Sequence, residues 1–236
     1  MFFWTLLLSH VIGDFPLQTD AVYRLKTKYR WGVLPHVAIC TAINIIALRS
    51  ILALPQAWAA IVFLAVLHII FDRTKLTVSA TRAGDSLLHF LVDQLLHVFS
   101  VWLAALWLNL TIPAAHETAV IPMNREMIIN LTALITAAFA GVPVIYYVQK
   151  YWCEVKKQRV VPSYPTLIGR LPGYAERFVA TLTLIMGGWW TAAAAAAFIP
   201  RLLINRNDPE RRKIFISSAV GLAISLFCGL GALAIR

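Results

Sequence analysis

The chain is built from long apolar runs. Seven stretches, residues 1–21, 33–54, 58–72, 87–112, 127–149, 178–199 and 214–235, are predominantly hydrophobic, and a membrane-spanning helix needs about 20 such residues. Hydrophobic types make up 60% of the 236 residues and charged types 14%, against roughly 45–50% and ~25% in soluble proteins. That leaves too little polar surface to cover a water-soluble globule, and it excludes disorder and a coiled coil. The expected fold class is therefore all-α, a polytopic transmembrane helical bundle of about seven segments, within a range of six to eight. The first and third segments are short and carry ionisable residues toward their C-terminal ends, so each is expected to be tilted, partly unwound or re-entrant. The first lacks the basic start and small-residue cleavage site of a signal peptide, and is read as part of the mature protein.

Lysine and arginine set the expected orientation, because cytoplasmic loops collect them. Arg24, Lys26, Lys28 and Arg30 follow the first segment; Arg73, Lys75 and Arg82 follow the third; Lys150, Lys156, Lys157, Arg159 and Arg170 follow the fifth. All three loops read as cytoplasmic. The loop at 113–126, with Arg125 against Glu117 and Glu126, reads as non-cytoplasmic. It separates a four-segment domain at 1–112 from C-terminal membrane helices at 127–236. The rule fails once. Arg201, Arg206, Arg211, Arg212 and Lys213 would lie outside if 178–199 crosses completely, so that Ala-rich stretch is either a hairpin or an exception. The +10 net charge is largely accounted for by orientation, so nucleic acid is not an expected partner. Arg49, near the far face of the second segment, is read as snorkelling to the interface.

Ionisable side chains inside these segments are costly in lipid and by default indicate a functional site. His10, Asp14, His36, His68, Asp72, His89, Asp93 and His97 all lie within or at the ends of apolar runs. His10 and Asp14, His68 and Asp72, His89 and Asp93, and Asp93 and His97 are each four residues apart, which puts each pair on one helix face. Because alternate segments run in opposite directions, every one of these residues up to Asp93 falls in the same half of the bilayer. His97 lies about 12 Å deeper than His89, so those two are not expected to share an ion. His116 falls in the opposite loop and is left out. Gln18, Asp20, Asn44 and Gln94 are weaker members of the group. The three cysteines, Cys40, Cys153 and Cys228, are widely spaced without a CxxC, and read as apolar fillers.

Imidazole and carboxylate without thiolate favour zinc, manganese or iron over copper(I) or an iron–sulfur cluster, with zinc first. A catalytic zinc needs three protein ligands and a water, whose pKa falls toward ~7 on the ion. The eight candidate ligands exceed that number. A spare group, Asp93 or Asp72, can then move a proton. Lys75, with Arg73 or Arg24, is placed to hold a phosphate. The expected partners are the lipid bilayer and an amphiphilic or lipid substrate with a phosphoester or acyl ester. Three rival readings remain open. An ion- or proton-coupled transporter would use the same cluster, two histidines would suit haem, and the chain would also serve as a structural subunit without chemistry. Ser217, Gly221, Ser225 and Gly229 form a small-xxx-small stripe, expected to serve assembly, including a homo-oligomer.

These residues also carry a resemblance. His10-x3-Asp14-Phe15-x2-Gln18, His36, His68-x3-Asp72-x2-Lys75 and Asp93-Gln94-x2-His97 occur in the order of the bacterial membrane-protein family known as domain of unknown function 3307. The likeness covers roughly residues 1–100. Gly173-Tyr174-x-Glu176-Arg177 and the small-residue final helix are similar to its longer members. More loosely, the HxxxD pairs resemble those of membrane-bound metal-dependent hydrolases. The resemblance implies a multi-pass protein of the bacterial inner membrane and supplies no substrate.

Overall fold

The computed structural model describes residues 1–80, 86–113, 123–156 and 163–235. Expectations placed on Arg82, His116, Glu117, Lys157 and Arg159 lie outside the described residues, as does most of the 113–126 loop. Every regular element among the described residues is helical. Four helices are long and apolar enough to cross a membrane: Pro55–Ser79, Leu87–Thr111, Arg125–Val155 and Arg211–Ile235. The chain divides into two compact units, Met1–Ile128 and Ile129–Arg236.

In the N-terminal unit, α1 (Phe2–Asp14), α3 (Val33–Ala47), α4 (Pro55–Ser79) and α5 (Leu87–Thr111) close a ring in which α1 packs on α3 and α5, and α4 packs on α3 and α5. The expected first segment at 1–21 breaks early. Pro16, just beyond the end of α1, cannot continue a helix, and Thr19 then caps a separate amphipathic helix, α2 (Asp20–Lys28), by accepting a hydrogen bond from the Val22 amide. The second segment also ends early, at Ala47, and Arg49 sits exposed in the turn that follows. The third is longer than expected. Pro55, tolerated in the first turn, starts α4 early, and the helix runs on through Arg73 and Lys75 to Ser79. α4 and α5 have 25 residues each, about 37 Å. α1 and α3 have 13 and 15, about 20 Å, and cover only part of a hydrocarbon core of about 30 Å.

Two close approaches set this packing. A Cβ at Gly13 would come within 2.7 Å of Cys40 Sγ and 3.3 Å of its Cα, so glycine lets α1 lie against α3. A Cβ at Gly32 would fall 1.8 Å from the Leu25 carbonyl oxygen, so glycine is required where α2 turns back onto α3. The core of the ring is apolar, with Phe2, Leu6, Leu48, Ile51, Ile61, Leu64, Val101 and Leu108 among its buried members.

The C-terminal unit holds α6 (Arg125–Ile135, whose first turn belongs to the N-terminal unit), a π-helical segment at Thr136–Ala140, α7 (Gly141–Val155), α8 (Leu167–Met186), the short α9 (Ala193–Ala196) and α10 (Ile199–Ile204), and α11 (Arg211–Ile235). The 178–199 stretch is not one spanning helix. α8 stops at Gly187 and Gly188, whose φ values of 70° and 58° lie in the left-handed region that glycine tolerates. The chain then doubles back along α8, with Ala194 and Phe198 against Ala180 and Leu184, and Arg201 Nη1 3.1 Å from Glu176 Oε2. This is the hairpin alternative, and it returns Arg201 and Arg206 to the end of the unit where Arg170 and Lys213 lie.

Arg177 is 2% exposed yet satisfied. Its Nε donates to the Ala137 carbonyl at 2.8 Å and its Nη2 to that of Ala138 at 2.7 Å, both within the π-helical segment. Gly141 and Gly173 leave room for the guanidinium. The small-residue stripe packs within the chain. Ser217 meets Arg201, Ser225 Oγ donates to the Arg177 carbonyl, and a Cβ at Gly229 would lie 2.6 Å from Leu184 Cβ. Within the chain this face is packed against α8 and α10.

Candidate metal centre

Each helix of the N-terminal ring turns one i,i+4 pair inward: His10 and Asp14 from α1, His36 and Cys40 from α3, His68 and Asp72 from α4, Asp93 and His97 from α5. All eight are buried. The cluster lies where α1 ends and α3 begins, with the apolar core filling the far side of the ring.

At its centre, His36 Nε2 and His68 Nε2 are 3.1 Å apart, and Asp14 Oδ1 is 3.3 Å from each. Three donors at zinc bond lengths of 2.0–2.1 Å in a tetrahedron stand about 3.3 Å from one another. The triangle therefore has the size of one face of a zinc polyhedron. Two further donors flank it. Cys40 Sγ is 3.8 Å from Asp14 Oδ1 and from His36 Nε2. Asp72 Oδ2 is 3.5 Å from His68 Nε2 and 3.7 Å from His36 Nε2. Asp14, His36, Cys40 and His68 form one group able to hold a metal ion, and His68, Asp72 and His97 form another.

Charge and hydrogen bonding leave room for a cation. Asp72 is paired through Oδ1 with Lys26 Nζ at 2.6 Å, and Asp93 through Oδ2 with Lys75 Nζ at 2.6 Å. Asp14 has no lysine or arginine among the described residues and faces only imidazoles and a thiol. A buried carboxylate without a compensating positive charge is strongly unfavourable. Buried atoms without a hydrogen-bond partner include His10 Nε2, Asp72 Oδ2, Asp93 Oδ1 and His97 Nε2. His97 Nδ1 donates to the Asp93 carbonyl at 2.8 Å, which leaves a lone pair on Nε2, the arrangement typical of ligating histidines. His10 and His97 stack with ring centroids 5.2 Å apart. Beside them is a cavity of about 20 Å³ lined by His10, Cys40, Asn44, His68, His97 and Ser100, room for about one water.

Seven of the eight residues expected as ligands are brought together. His89 is not. It is half-buried one turn closer to the start of α5 and meets Ser86 Oγ at 2.8 Å. Lys75, expected to hold a phosphate, is instead bound to Asp93, which Gln94 also contacts. Gln18 donates to the Asp14 carbonyl rather than into the cluster. Sequence reasoning missed two members. Cys40 is no inert filler; its spacing from His36 repeats the i,i+4 signal of the other pairs. Lys26, assigned to a cytoplasmic loop, is 5% exposed, and no local signal distinguished it from Arg24 or Lys28.

A family model described as a protein of unknown function, DUF3307, matches residues 2–128. The chain belongs to that family. The DUF3307 match is nearly coextensive with the N-terminal unit and contains every residue of the buried cluster. No curated protein and no solved structure matches the chain.

Proposed function

We propose that this DUF3307 protein binds a divalent metal ion, zinc first, through Asp14, His36 and His68. Asp72 completes the set, and the site performs metal-dependent hydrolysis of an ester or phosphoester carried by an amphiphile. The observation that carries the reading is the donor triangle with 3.1–3.3 Å edges, one corner of which is a carboxylate with no lysine or arginine partner among the described residues. A bound ion of this kind supplies an activated water at neutral pH, and the small cavity beside His10 and His97 has space for it. His97, which lines that cavity, is placed to take the water's proton, with Asp93 Oδ1 3.8 Å from its Nδ1.

Two features favour one-sided chemistry over transport. Beyond Thr5, Asn44 and Ser100 the ring is filled by apolar side chains, with no continuing line of polar groups among the described residues. On the near side, α2 and the turn after it present Tyr23, Tyr29 and Trp31 outward beside Arg24, Lys28 and Arg30, the composition of a membrane–water interface. The basic residues support the cytoplasmic side of a bacterial inner membrane.

Elemental analysis of the purified full-length protein, with Asp14→Ala and His68→Ala variants, tests the site. About one equivalent in the wild type and loss from both variants is expected for a single centre using three or four protein ligands. Absence of stoichiometric metal, or its retention in both folded variants, overturns the reading. With metal present, chelator-sensitive release of product from phosphoester or acyl-ester amphiphiles supports hydrolysis; ion flux in vesicles without hydrolysis supports the transporter instead.

A further inference from the structure

In the C-terminal unit, the end of α7 and the first turns of α11 leave between them a pocket of about 300 Å³, at the lower bound of small-molecule sites. Trp152, Cys153, Glu210, Arg212, Lys213 and Ile216 are among its wall residues, with the one carboxylate, Glu210, paired to Lys213, so that Arg212 supplies the net positive charge. We propose that this pocket binds the phosphate headgroup of an anionic membrane lipid, a site separate from the metal centre and independent of its activity.

Four observations carry this. First, the walls are held in place: Gln149 Nε2 donates to the Lys213 carbonyl at 3.0 Å, fastening α7 to α11. Second, the cations are unequally committed. Lys213 is paired with Glu210, whereas Arg212 is exposed and makes no ion pair or hydrogen bond among the described residues. A free guanidinium is the side chain best shaped for a phosphate. Third, the pocket lies where two membrane-length helices end, the level of lipid headgroups, and Trp152 at 40% exposure is suited to that zone. Fourth, one wall is apolar: Ile216 lines the pocket, and Phe215 beside it in sequence is 62% exposed, giving an acyl chain a surface that a free phosphate would not use. Basic pockets of this kind between membrane helices recognise anionic headgroups.

The test is native mass spectrometry of the full-length protein with added phosphatidylglycerol, phosphatidylcholine or inorganic phosphate. Arg212→Gln is compared with Arg49→Gln, an exposed cation of the other unit. Both substituted side chains are exposed, so neither variant removes a buried contact. Phosphatidylglycerol is expected to be retained over phosphatidylcholine, and Arg212→Gln to lower its retention about fivefold, the effect of one basic residue near a membrane surface, with Arg49→Gln unchanged. Equal retention of the two lipids, equal effects of the two variants, or displacement by inorganic phosphate at matched concentration would overturn the proposal. None of these outcomes depends on metal content.

Discussion

Lys26 shows how a single residue can change meaning between sequence and structure. As one of four cations in a short basic stretch it marks orientation. In the fold, α2 carries it under the ring to Asp72, where both side chains are at most 5% exposed. Removing one partner of such a pair leaves an unpaired buried charge, so Lys26→Met should destabilise the N-terminal unit by about 3–5 kcal/mol. Lys26→Met/Asp72→Asn should recover much of that loss. Thermal unfolding of both variants in detergent checks this, and equal stability of the single and double variants would contradict it. Cys40 makes the complementary point. Its i,i+4 relation to His36 was visible, but cysteine is so often a small apolar filler that only the neighbouring Asp14 and His36 atoms mark it as part of the cluster.

Among the elements, the i,i+4 spacing placed three of its four pairs in the cluster, because it depends only on helical periodicity; the pair His89–Asp93 was the exception. Helix ends were less legible. Pro16 and Thr19 divide the first apolar run, and the glycine pair at 187–188 reverses the chain inside what reads as a spanning segment. Hydropathy averages over such breaks. The same limit applies to the small-residue stripe on α11, whose close neighbours within the chain, Leu184, Arg177 and Phe198, are not visible in the stripe itself. Gly229→Ala should cost about 1–3 kcal/mol by overpacking, since its Cβ would lie 2.6 Å from Leu184 Cβ and 3.3 Å from the Thr181 carbonyl. Gly231→Ala, with nothing within 4 Å, should be neutral or stabilising by up to about 1 kcal/mol. Comparing the two by thermal unfolding separates close packing from helix propensity; equal shifts would contradict the packing.

At the scale of the molecule, the hairpin removes the one failure of the orientation rule. α7 ends, and α8 and α11 begin, at the same end of the C-terminal unit, and α10 returns there. In a background without native cysteines, Ser163→Cys and Asp208→Cys should therefore react with a membrane-impermeant maleimide from the same side, and Ala234→Cys from the opposite side. Labelling of Asp208→Cys from the side opposite Ser163→Cys would restore the full crossing of 178–199. The chain's apolar runs and the four-residue spacing of its buried His and Asp residues were enough to determine an all-helical membrane architecture and most members of the cluster, because burial in lipid and helical periodicity are local in sequence. Which face of each helix meets which neighbour is not local. The close approaches at Gly13 and Gly32, the inward turn of Lys26, the inclusion of Cys40 and the exclusion of His89 were decided by tertiary packing.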